Sequence, residues 1–133
     1  MAGYSAAPLA QKLGIKPHSR LLLSRAPADF SIPDLPEGVA AKRRPGADPY
    51  DTILLFAVTQ AELTRSFRSR ADRLTVAGGM WVCWPKKASG LQRDLTEAQV
   101  RAIGLDAGLV DVKVCAVDET WSGLRFVRRL ADR

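Results

Sequence analysis

The stretch from Asp51 to Pro85 limits the folds open to this chain more than any other part of it. It begins with Asp51-Thr52-Ile53-Leu54-Leu55-Phe56-Ala57-Val58, an apolar run without alternation, as expected of a strand buried on both faces. Thr59-Gln60-Ala61-Glu62 follows at once with the pattern of a capping box, and Val58 and Leu63 are placed as a hydrophobic staple. Leu63, Phe67 and Leu74 then recur at helical spacing. Gly78-Gly79 closes that unit, and Met80-Trp81-Val82-Cys83-Trp84 is a second buried run, stopped by Pro85. Alternation of strands and helices in this way predicts an α/β fold with a mostly parallel sheet.

The rest of the chain fits around that unit. Seven of the eight prolines precede residue 50, and Pro27, Pro33, Pro36, Pro45 and Pro49 exclude a long helix from the stretch they occupy. Loops with one short helical turn and one short strand, Val39-Ala40-Ala41, are predicted there. Upstream, a short helix has Pro8 near its first turn and Gly14 just past its end, followed by a buried strand at Arg20-Leu21-Leu22-Leu23-Ser24. Downstream, Thr96-Glu97-Ala98-Gln99 is a second capping box, flanked by Leu95 and Val100. Its helix points Val100, Ile103 and Ala107 inward and stops at Gly108. Val110, Val112, Val114 and Ala116 then alternate with Asp111, Lys113 and Cys115, and a loop over 118–123 returns the chain into Leu124-Arg125-Phe126-Val127. That is an antiparallel hairpin.

Length and composition narrow the classes further. The 133 residues form one domain, 1–133, and 47% apolar residues suffice for its core. One His and two Cys cannot build a four-ligand zinc site or a disulfide scaffold. Within the first twenty residues Tyr4, Ser5, Pro8, Gln11 and Lys12 interrupt any signal-like apolar stretch. The longest apolar run, Ile53 to Val58, is too short for a membrane span. A cytoplasmic location is the expectation, with no membrane partner. The net charge is +6, and fourteen of the twenty cations are arginines.

The order of elements resembles the class I methyltransferase fold, a Rossmann-like sheet closed by an antiparallel last strand. Leu13-Gly14-Ile15-Lys16-Pro17 leading into Leu21-Leu22-Leu23, then Tyr50-Asp51-Thr52-Ile53-Leu54-Leu55, Leu74 to Val82 and the terminal hairpin carry the likeness. Trp84-Pro85-Lys86-Lys87-Ala88-Ser89-Gly90 and Val117 to Phe126 are similar to a family of small bacterial proteins of unknown function. The resemblance implies a three-layer sandwich, and the short distance between the first strand and the run at 51–58 implies that one strand-helix unit is trimmed. It also implies where an S-adenosylmethionine site would lie, and there the chain departs from the pattern. The loop after the first strand is Ser24-Arg25-Ala26-Pro27-Ala28-Asp29, without glycine, where that fold brings glycine backbone against the cofactor. Ala41-Lys42-Arg43-Arg44 stands where an acid would bond the ribose hydroxyls. No Asn or Asp followed by Pro comes after Phe56.

Ligands of open α/β sheets bind outside the carboxyl ends of the strands. The loops expected there bring together Arg25, Trp84, Lys86, Lys87, Ser89, Asp118, Glu119 and Trp121. Lysines and a serine beside a helix start suit a carboxylate or phosphate, and two tryptophans suit a flat ligand. The structural alternative pairs Lys86 or Lys87 with Asp118 or Glu119 and uses the tryptophans to cap the sheet edge. Basic clusters at Lys42-Arg43-Arg44, at Arg65, Arg68, Arg70 and Arg73, and at Arg125, Arg128, Arg129 and Arg133 lack aromatic interleaving. Arg68 has Asp72 four residues on, as on a solvated helix face. His18 reads as an exposed loop residue, and Cys83 and Cys115 as small strand hydrophobes without catalytic partners.

Three functions remain open on this reading. The first is a non-catalytic binding or regulatory module with no cofactor, whose partner is a small anion or a protein. The second is a divergent methyltransferase using S-adenosylmethionine. The third is an accessory protein that binds nucleic acid.

Overall fold

The computed structural model describes residues 7–133; Tyr4 and Ser5, which interrupt any signal-like apolar stretch, lie outside the described residues. Three α-helices, α1 (Leu9–Lys12), α2 (Gln60–Ala71) and α3 (Glu97–Asp106), accompany six strands. The strands are β1 (Leu21–Ser24), β2 (Ala41–Lys42), β3 (Tyr50–Phe56), β4 (Leu74–Pro85), β5 (Leu109–Ala116) and β6 (Trp121–Arg128). They form one sheet in the order β2-β1-β3-β4-β6-β5. The first four of that order run parallel, and β6 lies antiparallel to both β4 and β5.

Alternating side chains of the central strands divide the core in two. Ile53, Leu55, Met80 and Val82 face α2 and α3, where Leu63, Phe67 and Val100 meet them. Leu54, Phe56, Trp81 and Cys83 face the other way. That second face is covered by α1 and by the irregular stretch carrying Phe30, Ile32, Leu35 and Val39. Prolines account for this layer being mostly non-helical. Among the described residues the expected helical turn between 25 and 49 is absent, and the expected strand is reduced to Ala41–Lys42. The indole of Trp81 donates to the carbonyl of Leu13 at 2.9 Å, which fastens the end of α1 to the sheet.

Both helix starts follow the sequence. Thr59 Oγ1 accepts from the Glu62 N–H at 3.2 Å, and Glu62 Oε1 accepts from the Val58 N–H at 2.8 Å. At α3, Gln99 Oε1 accepts from the Thr96 N–H at 3.3 Å and from the Thr96 hydroxyl. Three expectations need correction. The face of α2 is Leu63, Phe67 and Ala71, because the helix ends at Ala71 and Leu74 already belongs to β4. There Leu74 pairs with Tyr50, and the register then shifts before Gly79 pairs with Thr52. Arg68 does not pair with Asp72; it reaches the carbonyl of Asp106 at 3.5 Å. Finally, the alternation of β5 is broken by a register shift between Asp111 and Lys113, which leaves Val112 and Val114 about half exposed.

Candidate functional site

β1, β3 and β4 end at one edge of the sheet, where α2 begins and the β5–β6 turn returns. At the end of β1 the buried Ser24 hydroxyl accepts from Arg70 Nε at 2.7 Å. Arg25 comes next with φ 60°, a left-handed conformation that a glycine adopts without strain and that costs other residues about 1 kcal/mol or more. Its guanidinium stands 3.8 Å from Glu62 Oε2. The Glu62 carboxyl is held below its ordinary range first by the Val58 N–H, against burial as the next largest effect, with the Thr59 N–H, Arg25 and Arg65 adding to the lowering.

Arg43, the residue after β2, is central to this edge. Its Nη1 donates to the Pro27 carbonyl at 3.2 Å and its Nη2 to the Phe30 carbonyl, so the guanidinium ties the loop after β1 in place. Beneath that loop Phe30 meets Phe56 edge to face at 4.8 Å, and Phe56 meets Trp121 in the same way at 5.0 Å. All three rings are buried. What remains open is a groove of about 280 Å³ lined mainly by Pro27, Asp29, Phe30, Leu91, Asp118 and Trp121.

The residues singled out in the sequence are therefore only partly gathered. Asp118 and Trp121 line the groove. Asp118 Oδ1 accepts from the N–H groups of Thr120 and Trp121, both at 2.8 Å, and so shapes its own turn. Ser89 Oγ donates to the Lys86 carbonyl at 2.6 Å and accepts from the Leu91 N–H at 3.1 Å, so its hydroxyl is engaged within a turn as well. The backbone N–H of Lys86 donates to Thr120 at 2.8 Å. Lys87 and Glu119 are exposed. Among the described residues no ion pair joins Lys86 or Lys87 to Asp118 or Glu119, so that expected pairing is not made. Trp84 packs on the α2–α3 side of the sheet and Trp121 on the other. The two tryptophans thus cannot stack on one flat ligand. Arg43 and the loop after β1 were expected at this edge, but the bonds of Arg43 into that loop and the ring contacts of Phe30 and Phe56 were missed. The one signal was a basic triplet standing where an acid was expected.

A nucleoside cofactor at this edge needs close approach of backbone and an acceptor for its ribose. Here the loop carries side chains throughout, Arg43 donates into that loop, and the rings of Phe30, Phe56 and Trp121 pack against one another below it.

No family model matches the chain, and no curated protein matches it. The likeness to a family of small bacterial proteins thus rests on the two segments alone. Solved structures do match. A SAM-dependent methyltransferase from Aquifex aeolicus has a TM-score of 0.64 at 16% identity, covering 89% of this chain and 86% of that one. The magnesium protoporphyrin IX methyltransferase ChlM from Synechocystis PCC 6803 with bound SAM has a TM-score of 0.57 at 12% identity, covering 91% and 74%. LepI in complex with SAH and a substrate analogue has a TM-score of 0.53 at 11% identity, covering 91% of this chain but 39% of its own. The chain spans about half, 52%, of ChlM in its SAH-bound structure. The architecture is methyltransferase-like: a six-stranded, mostly parallel sheet with an antiparallel C-terminal hairpin.

Proposed function

We propose that this chain is a methyltransferase-like binding module that does not use S-adenosylmethionine. The observation that carries the reading is Arg43, which stands at the end of β2 and bonds the carbonyls of Pro27 and Phe30. A bound ribose would lose its carboxylate acceptor and meet a guanidinium. The missing glycines put Cβ atoms and the Pro27 ring where backbone would otherwise meet the cofactor. Each unmatched polar group costs roughly 1–3 kcal/mol. Two such losses amount to about 4 kcal/mol, enough to move a micromolar ligand to millimolar.

Of the residues considered for a ligand, Lys86 and Lys87 have no acid partner among the described residues. A small anion at this edge meets their ammonium groups, with Ser89 serving only the turn that presents them. A second reading, a divergent methyltransferase, is favoured by the fold it shares with SAM-bound ChlM. Native mass spectrometry of the purified protein with added S-adenosylhomocysteine separates the two. The module reading expects the mass of the bare chain; a retained adduct of the cofactor's mass supports the methyltransferase.

A further inference from the structure

The opposite, amino edge of the sheet carries a second feature. Among the described residues, α1 and the irregular stretch cover the end of the second face near Trp81, but not the part where β4 begins, β6 ends and β5 starts. A groove of about 220 Å³ lies there, lined by Val76, Ala77, Val112, Arg125, Val127 and Arg133, with the backbone of Gly78 beside them. Val76 and Val112 are 58% and 51% exposed, so two valines stand in solvent on either side of a charged centre.

That centre is built into the sheet. Arg125 is the register partner of Trp81 on one side and Lys113 on the other. Its guanidinium lies on the backbone of Gly79, where an added Cβ would come within 2.4 Å of Nε. Arg133 lines the same groove, held by a bond from its Nε to the Arg128 carbonyl at 2.9 Å. No acid pairs with Arg125 or Arg133 among the described residues. Burial, and then repulsion from Arg133, both lower the Arg125 pKa, so the charge is partly desolvated without a counterion. An anion placed between Arg125 and Arg133 supplies that counterion.

We propose that this groove docks an acidic, apolar peptide segment of a partner protein, its carboxylates on Arg125 and Arg133 and its apolar side chains against Val76 and Val112. Arginine fixed in an apolar setting is the residue type that anchors protein interfaces. The paired valines favour a peptide over nucleic acid, since no aromatic ring lines the groove for a base to stack on. The inference does not depend on the cofactor reading, because the groove lies at the other edge of the sheet.

The test is a titration of the whole chain with a fluorescent peptide of alternating Glu and Val, with oligothymidylate of equal charge in parallel. Saturable, salt-sensitive peptide binding is expected, with the amide resonances of Val76, Val112 and Val127 shifting in the wild-type protein. Arg125→Met, which keeps the aliphatic packing on Gly79, and Val112→Asp, at the exposed rim, should each weaken binding roughly tenfold or more. Arg93→Ala, at an exposed site away from the groove, should leave it unchanged. Lack of saturable binding at low salt overturns the proposal, as does binding indifferent to both variants. Tighter binding of the oligonucleotide through the same residues also overturns it, in favour of a nucleic-acid surface. Added S-adenosylhomocysteine should not alter the peptide result whichever way the cofactor question is answered.

Discussion

Gly104 lies in the interior of α3, where alanine is ordinarily better by about 1 kcal/mol. Here the balance reverses. A Cβ at this position would stand 2.0 Å from the Phe126 ring, which is itself held edge to face against Phe67 at 5.3 Å. Neither ring has room to yield, so Gly104→Ala should destabilise the fold by about 1–3 kcal/mol, as overpacking does. A lower urea midpoint at unchanged slope is the expected reading, and a stabilised variant would contradict the packing described. Arg43 acts at the same scale. If its guanidinium fastens the loop after β1, Arg43→Met should release the amides of Ala26 and of residues 28–30. Their hydrogen exchange is expected to speed up by roughly 5–30-fold, the equivalent of about 1–2 kcal/mol. Unchanged exchange would show that the loop is held by the aromatic contacts alone.

The start of α2 couples structure to pH. Glu62 bonds the Val58 N–H and faces Arg25, so its folded pKa lies below its ordinary value of 4.5. A lowered pKa contributes stability that is complete above the unfolded value and is lost as pH falls through the folded one. Asp111 adds in the same sense through its 2.9 Å bond from Arg101. Stability should therefore decline below about pH 4.5, and Glu62→Gln should flatten that decline; an acid limb identical to wild type would remove Glu62 from the account. The hairpin permits a chemical test. β6 separates Cys83 from Cys115, and both are register partners of Gly123. Two strand spacings are about 9–10 Å, beyond disulfide reach. Denatured, unreduced protein should titrate two free thiols, and a monomer with none would refute the strand order. In the folded state burial pushes the Cys83 thiol well up and the Cys115 thiol up less, with Lys12, Lys113 and Lys86 opposing. Cys115 should thus react first with a thiol reagent. These elements were legible because capping boxes and unalternating runs are local signals. The early start of β4 and the bulge in β5 were not, because both depend on which residue pairs across the sheet.

At the scale of the molecule, order and pattern were enough to read an α/β, mostly parallel sheet with a terminal hairpin, since crossover rules leave few arrangements of such elements; the trimmed unit and the inserted last strand came from the resemblance to the methyltransferase fold. The edge chemistry was read less well. Trp84 and Trp121 share a sheet edge in the sequence reading, but the pleat sends them to opposite faces. Arg43 stood in a basic triplet where an acid was expected, while its acceptors, Pro27 and Phe30, lie 16 and 13 residues away. Arg125 likewise read as one member of a basic tail; only the bare face beside β4 sets it apart. Both cases depend on where a long side chain ends, which spacing along the chain does not determine. The central claim, the proposal that this methyltransferase-like fold does not use S-adenosylmethionine, is tested most directly by calorimetry. S-adenosylmethionine and S-adenosylhomocysteine are titrated into the wild-type protein, and the account predicts binding no tighter than roughly millimolar for either. One-to-one binding of either cofactor at micromolar concentration would contradict it.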